Sequence, residues 1–475
     1  MGDEIESRYF EAEDFSVFRA RLDEEQALLE QIFERGEFSP RGDVAGFELE
    51  AWLVDEAGDP LPRNAEFLEA LGHPLVIPEL ATYNVELNGS PSTISGKVFS
   101  RLYDELSATW GFCQRAARSM GCSLMTIGIL PTVKEPMLDS VHMSAMQRYR
   151  SMNDRVMALR DGRPLTIDIE GDRPLRTTHP DVMLEAATTS FQIHLQCRPY
   201  RAARDFNASL VASAPMVAAS ANSPFLFGHS LWDETRIPLF EQSVDVGDRY
   251  LPRASFGRDY VRHSLLEIFE ENVKDHLILL PAVQKGSPQS FAHLRFHNGT
   301  LWRWNRPLIG FDFDGQVHLR IEHRVVPAGP TLKDCIANAA FYYGLVYGFG
   351  LCKQPIEERL PFAKARDNFY GAARHGLNSR LAWVDERGKR GEVGMRQLII
   401  EELLPLARRG LESRGIPDSE IDEHLNIIGA RAESSQNGAT WQRRWVAAHG
   451  NDLHQLVRAY RERQEQGNPV HTWSL

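Results

Sequence analysis

Alternating apolar and polar residues mark four strands in the first two-thirds of the chain. Side chains two apart on a strand share a face. In residues 46–53 the apolar set is Phe47, Leu49, Ala51 and Leu53, which leaves Glu48 and Glu50 together on the other side. Residues 83–88 carry Asn84, Glu86 and Asn88 on the polar face, and residues 191–197 carry Gln192, His194 and Gln196. The fourth strand, 317–324, carries His318, Arg320, Glu322 and Arg324. Helical spacing governs the flanks. Residues 11–35 have no glycine and space Phe15, Phe18, Leu22 and Leu29 as an N-terminal helical arm. After Gly96, the residues Val98, Phe99, Leu102, Leu106, Trp110, Cys113 and Ala117 gather on one helix face, and 205–219 reads as a helix of small residues. From Thr331, which forms a capping-box pair with Asp334, the chain stays mostly helical to about 464. Residues 161–181 hold three prolines and little periodicity, and read as a long loop, of a length that is often functional.

Composition narrows the class. The 475 residues hold 53 Lys+Arg against 65 Asp+Glu, a net charge of −12, and 43% are hydrophobic. That is ample for a large core, and the acidic balance excludes a broad nucleic-acid footprint, which shows as a basic face. Residues 1–9 lack the basic and apolar regions of a secretory signal, and the longest apolar run, 341–352, is too short to span a membrane. The five cysteines, Cys113, Cys122, Cys197, Cys335 and Cys352, are odd in number and form no Cys-x-x-Cys, so they read as reduced thiols of a cytoplasmic protein. Three familiar motifs fail. Gly89 and Gly96 lie too far apart for a Walker loop; Gly344, Gly348 and Gly350 follow no strand and fit packing; Gly228-His-Ser230 lacks the last glycine of a nucleophile elbow.

For any one strand, a polar face is what an antiparallel sheet presents to water. The four faces together hold no lysine, serine or threonine, only Glu, His, Gln, Asn and Arg. Glutamates converging on one side raise one another's pKa unless cations are present, and oxygen donors with one imidazole suit Mg²⁺ or Mn²⁺. Arginines among them suit phosphate oxygens, which the planar guanidinium meets with two bonds. The chemistry this predicts is a clamp on nucleotide phosphates made of divalent ions and arginines.

Seven ordered segments between about 46 and 381 carry a further signal: GFELEAWLVD, PELATYNVELN, FQIHLQ, AASANSPFLFG with Arg236 downstream, GTLWRWNRP, LRIEHR and DNFYGAARHGL. With them the chain resembles the glutamate–cysteine ligase and carboxylate–amine ligase family, whose fold is related to glutamine synthetase. The resemblance implies an α+β fold in which a curved, largely antiparallel sheet turns a concave polar face to the active site, with helices on the convex face and a helical C-terminal region. The matched segments lie in a catalytic domain over 43–385; the helical arm over 1–42 and the helical region over 386–475, read as packed upon that domain, extend beyond them. By matching position, Glu48, Glu50, Glu79, Glu86, His194 and Glu322 would be metal ligands. Arg324 would meet the transferred phosphate beside Glu322, Arg236 and Arg306 would hold substrate carboxylate and phosphate groups, and Arg320 and Gln192 would face the nucleotide. Simpler roles stay open: Glu79 as a surface cap after Pro78, Arg236 paired with Asp233 or Glu234, Arg306 as a solvated side chain, Asn368 and Arg374 as capping or packing residues. Trp302 and Trp304 read as walls. The implied activity is ATP-dependent ligation with Mg²⁺ or Mn²⁺: a carboxylate, the γ-carboxylate of glutamate, becomes an acyl phosphate and is taken by an amine, cysteine by default. The partners implied are small molecules, with no nucleic acid and no membrane, and a homo-oligomer is left open. Two other classes fit the same residues: a metal-dependent phosphohydrolase and a non-catalytic nucleotide- or amino-acid-binding paralogue.

Overall fold

The computed structural model describes residues 4, 5, 7–385 and 388–475. Residues 1–3 and 6 of the amino-terminal reading, and the domain boundary at 386, lie outside the described residues. Six strands form the main path of one antiparallel sheet: β1 (Val44–Val54), β2 (Val76–Pro78), β3 (Asn84–Asn88), β4 (Phe191–Cys197), β5 (Asn305–Phe311) and β6 (Val317–His323). Their order is β5–β6–β4–β1–β3–β2, two short strands pair with β1, and the sheet curls. The expected fold class is therefore the observed one.

The apolar face of the sheet closes the core. Phe47, Leu49, Ala51, Leu53, Ile193, Leu195, Leu319 and Ile321 are buried in one cluster with the helices α2 (Val98–Ser119), α3 (Ala202–Ser220) and α5 (Leu332–Leu351). Between α3 and α5 in sequence comes the short α4 (Arg236–Ser243). Helix α5 is apolar around its whole circumference because it is buried on all sides, from Asp334 to Phe349 without interruption. Its start is the expected capping box, with Thr331 and Asp334 bonding each other's backbone. The Tyr343 hydroxyl donates to the carbonyl of His194 at 2.8 Å, and Tyr342 stacks on His323 at 4.3 Å. The helix thus braces the strands from below.

Two segments differ from expectation. Residues 161–181 contain a β-hairpin, Leu165–Ile169 against Leu175–His179, in which Leu165, Ile167 and Ile169 are buried between exposed Thr166 and Asp168. The alternation spans only five residues beside Pro164, too short a window to stand out from the surrounding prolines. The C-terminal region is likewise interrupted by a hairpin, Arg380–Val384 against Arg390–Gly394, which Asn368 holds by donating to and accepting from the backbone of Ala382. Arg374 pairs with Glu170 on the surface. The N-terminal arm α1 (Ala12–Arg35) docks on the sheet's neighbours: Glu25 accepts from His293 Nδ1 at 2.7 Å and from the Leu294 backbone at 2.8 Å. Among the described residues no helix is long and apolar enough to cross a membrane.

The glycines of α5 serve packing, as expected. Helix α6 (Leu404–Glu412) crosses α5 so closely that a Cβ on Gly410 would lie 2.1 Å from the Gly344 carbonyl oxygen. Backbone cannot give way as a side chain can, so Gly410→Ala is expected to cost about 3 kcal/mol or more. Gly371→Ala, on an open helix position with nothing within 4 Å, is expected to gain up to about 1 kcal/mol from helix propensity. Thermal midpoints of the two variants check the pair, and equal shifts would contradict the close crossing.

Candidate active site

The pleat and the register together assemble the polar face. Glu50 stands opposite Glu86, Glu48 lies between Asn88 and Gln192, and Glu322 lies between His194 and Arg306. The result is two groups of three: Glu48, His194 and Glu322, and Glu50, Glu79 and Glu86, each with one ligand atom per residue within 4.8 Å of the others. In the first, His194 Nε2 stands 3.5 Å from Glu48 and 3.7 Å from Glu322, outside hydrogen-bond distance, and it is buried with no hydrogen-bond partner. In the second, Glu86 accepts from Asn88 at 2.9 Å through one oxygen, while its other oxygen is buried and unpartnered. Orphaned donor atoms aimed at a common gap fit a divalent cation, and a set of carboxylates plus one imidazole fits Mg²⁺ or Mn²⁺. Glu79, which Pro78 made a plausible surface cap, joins this second group.

A chain of hydrogen bonds links the two groups. Arg306 grips Glu322 with two bonds of 2.8 and 3.1 Å and donates its remaining nitrogen to the Gly299 carbonyl at 3.1 Å, so it is not a solvated side chain. Arg324 bonds Glu322 at 3.0 Å and also donates to Gln192, whose amide in turn donates to Glu50 at 3.0 Å. Ser190 completes the hold on Glu50 with its backbone N–H at 2.7 Å and its hydroxyl at 2.9 Å. Sequence reading missed Ser190, although it lies two before Gln192 and shares its face. Arg236 sits behind Arg324. It pairs with Glu234 at 3.0 Å and donates to the carbonyls of Arg324 and Val325, which occupies three of its five N–H bonds.

Electrostatics follow from this packing. Burial, with the Glu79 charge beside it, raises Glu50 to about 7. Burial and the neighbouring Glu48 and Glu79 push Glu86 well above the carboxylate range, and burial also raises Glu79. Glu322 goes the other way: burial alone would raise it, yet the Arg306 and Arg324 charges hold it well below. Burial lowers His194 to about 4, so its imidazole is neutral and free to ligate at neutral pH. Arg320 faces Glu48 and Glu322 with its charge, and burial lowers it. Gln196 and His318, on the same polar faces, turn instead to Asp312 at 3.1 and 3.0 Å. They form a separate cluster at the sheet's end. Glu185, on a 3₁₀ turn with no pattern to mark it, is pushed well above the carboxylate range by burial and by the nearby Glu79 and Glu50.

Comparisons with known proteins give the family and the fold. A family signature described as "Glutamate-cysteine ligase family 2 (GCS2)" matches residues 44–465. The fold is similar to that of a glutamate–cysteine ligase from Francisella tularensis solved in complex with AMP, at a TM-score of 0.56 and 10% identity over 92% of this chain and 91% of that one. It is also similar to a bifunctional glutathione synthetase from Pasteurella multocida, at 0.54 and 13% over 92% of this chain and 55% of that one. No curated protein matches the chain by sequence. Fold and signature together define an ATP-dependent carboxylate–amine ligase of the glutamate–cysteine ligase-like kind. The chain belongs to glutamate–cysteine ligase family 2.

The wall behind Arg236 contains a further titrating group. The Arg236 guanidinium lies 5.3 Å from the centre of the Trp304 ring, and Trp304 and Tyr370 both donate to Glu241 at 2.7 Å. Burial raises Glu241 to about 7 against these two bonds, from an ordinary value of 4.5. A raised folded value means that the neutral carboxyl stabilises the fold fully below about pH 4.5 and that this stability is lost as pH rises through 7. Glu241→Gln keeps an acceptor and removes the titration. The stability of the native protein relative to this variant is therefore expected to fall by roughly 2–3 kcal/mol between pH 5 and pH 8. Thermal midpoints at both pH values check it, and a constant difference would contradict the assignment.

Proposed function

We propose that the protein joins the γ-carboxylate of glutamate to an amine, cysteine by default, at the expense of ATP, through an acyl phosphate. The observation that carries this is the pairing of two three-donor groups with Arg306 and Arg324 on one sheet face. In the proposed reaction the substrate carboxylate attacks the γ-phosphate of ATP and ADP leaves. The amine then adds to the acyl carbon, phosphate departs, and an amide forms. Such transfers need positioning and charge neutralisation more than a covalent catalyst, and no nucleophilic side chain is required.

Glu48, His194 and Glu322 would hold one Mg²⁺ or Mn²⁺, and Glu50, Glu79 and Glu86 another. Bound cations there would neutralise phosphate oxygens and polarise the γ-phosphorus. Arg324 is oriented by Gln192 and Glu322 to present its free N–H bonds to the transferred phosphoryl group. Arg306 fixes the Glu322 carboxylate in one plane and adds positive charge beside it, and Arg320 contributes charge toward the nucleotide. Arg236 holds the Arg324 backbone through its carbonyl, and keeps two N–H bonds for a substrate carboxylate.

Three measurements test the reading. ADP release is expected to require glutamate and an amine together; release with water alone would favour a phosphohydrolase, and none under any condition a binding paralogue. Glu50→Gln and Glu86→Gln are each expected to abolish ligation with the fold retained, since each removes charge from a cation site. The roles on β6 separate under a magnesium titration at saturating ATP. Glu322→Gln is expected to recover in part at high Mg²⁺, by mass action on occupancy. Arg324→Lys keeps the charge and loses the planar fork, so kcat should fall on the order of 10²-fold without rescue. Equal rescue of both would overturn the assignment.

A further inference from the structure

The face that carries Arg306 and Arg324 extends one residue past the start of β5. The Arg324 N–H donates to the Trp304 carbonyl at 2.9 Å and continues the ladder of β5 and β6, so Trp304 stands opposite Arg324 and two before Arg306 on the same side. Helix α4 lies over this end of the sheet. Its first residue, Arg236, sets its guanidinium on the Trp304 ring, and its sixth, Glu241, accepts the indole N–H.

One oxygen of Glu241 takes two neutral donors, Trp304 and the Tyr370 hydroxyl. The other has no hydrogen bond, and among the described residues no cation pairs with the carboxylate. Glu241 and Tyr370 are half-buried, and that second oxygen is not sealed in the core. The surroundings are aromatic, since the Trp304 ring packs against Phe240 at 5.6 Å and Phe369 at 5.9 Å. A carboxylate set among rings and neutral donors is poorly solvated, and a bound cation carrying N–H donors relieves it. Burial without a cation is also what raises Glu241 to about 7. Ring faces add their own attraction for an ammonium.

We propose that Glu241 receives the α-ammonium of the acid substrate and makes the site selective for an amino acid over a plain dicarboxylate. This assignment rests on the ligase reading above and adds to it a residue that chooses the acid. The acid is favoured over the acceptor on two counts. An acceptor amine has to lose its proton before it attacks the acyl carbon, whereas a neighbouring carboxylate keeps an ammonium charged, which suits a group that stays out of the reaction. Arg236 and Glu241 are also five residues apart, about 7.5 Å along the helix. That separation is too long for the carboxylate and ammonium of one α-carbon. It suits glutamate lying with its γ-carboxylate toward Arg236 and Arg324 and its α-ammonium at Glu241.

L-Glutamate and glutarate differ only in the α-ammonium. Saturation-transfer NMR titrations of the full-length protein with each acid, in the presence of Mg²⁺ and a non-hydrolysable ATP analogue, measure binding without turnover. The native protein is expected to bind glutamate roughly 10- to 100-fold more tightly than glutarate, the effect of one hydrogen-bonded charge pair. Glu241→Gln keeps an acceptor for Trp304 and Tyr370 and removes the charge, so this ratio should fall about tenfold or more, with glutarate bound no more weakly than before. No binding of glutamate, a native ratio near one, a ratio not lowered in Glu241→Gln, or loss of glutarate binding together with glutamate binding, as a merely structural role would give, would each overturn the inference. If the ratio behaves as expected while no amine supports ADP release, the ligase reading fails and the ammonium site stands.

Discussion

Five carboxylates share one face of this sheet, and their mutual repulsion is the constraint to which everything around them answers. Glu48, Glu50 and Glu86 are nearly or fully buried, and Glu322 is 2% exposed. Left alone they would take up protons or push the strands apart. The protein resolves this unevenly. On the β5–β6 side two arginines bind Glu322 directly and keep it ionised. On the β1–β3 side Ser190, Gln192 and Asn88 supply only neutral donors, and Glu50 and Glu86 stay raised. The second group is therefore the half whose carboxylates no cation of the chain holds directly, among the described residues.

How much of this was legible in the sequence depends on the range of the interaction concerned. Alternation within a strand is a local property, so the facing sets Glu48/Glu50, Gln192/His194 and Arg320/Glu322 were readable directly. Cross-strand register is not local. That Glu48 belongs with His194, and Glu50 with Glu86, follows from pairings between strands more than a hundred residues apart in one case. Glu79 shows the same limit, since only the turn between β2 and β3 brings it beside Glu50. The two missed hairpins have a different cause: their apolar alternation runs for five residues, below the length at which it stands out from loop composition. Gln196 and His318 lay on the predicted face and still left the site, because Asp312 at the sheet's end offered a carboxylate closer at hand.

The flanking regions are built into the same body. Glu25 of the arm caps the helix that begins at Ala292. Arg431, fully buried, binds Asp334 and Asn338 at 2.7 Å each and ties the C-terminal helices to α5. A buried arginine of this kind is costly unless its partners are complete, so it fixes the docking of the last hundred residues as much as it stabilises them.

One of these ties has a consequence in time. Asn222 accepts from Gln442 and donates to the Tyr460 hydroxyl, while its own backbone N–H is taken by Glu234, the partner of Arg236, which in turn holds the Arg324 carbonyl. Every strand of the main sheet has left the ribosome once residue 323 emerges, yet Gln442 and Tyr460, which hold Asn222 behind the Glu234–Arg236 pair, come from the end of the chain. Synthesis thus yields the carboxylate face and its arginine contacts first and locks Asn222 last, and a C-terminally clipped chain would keep the five carboxylates without that outer layer of support.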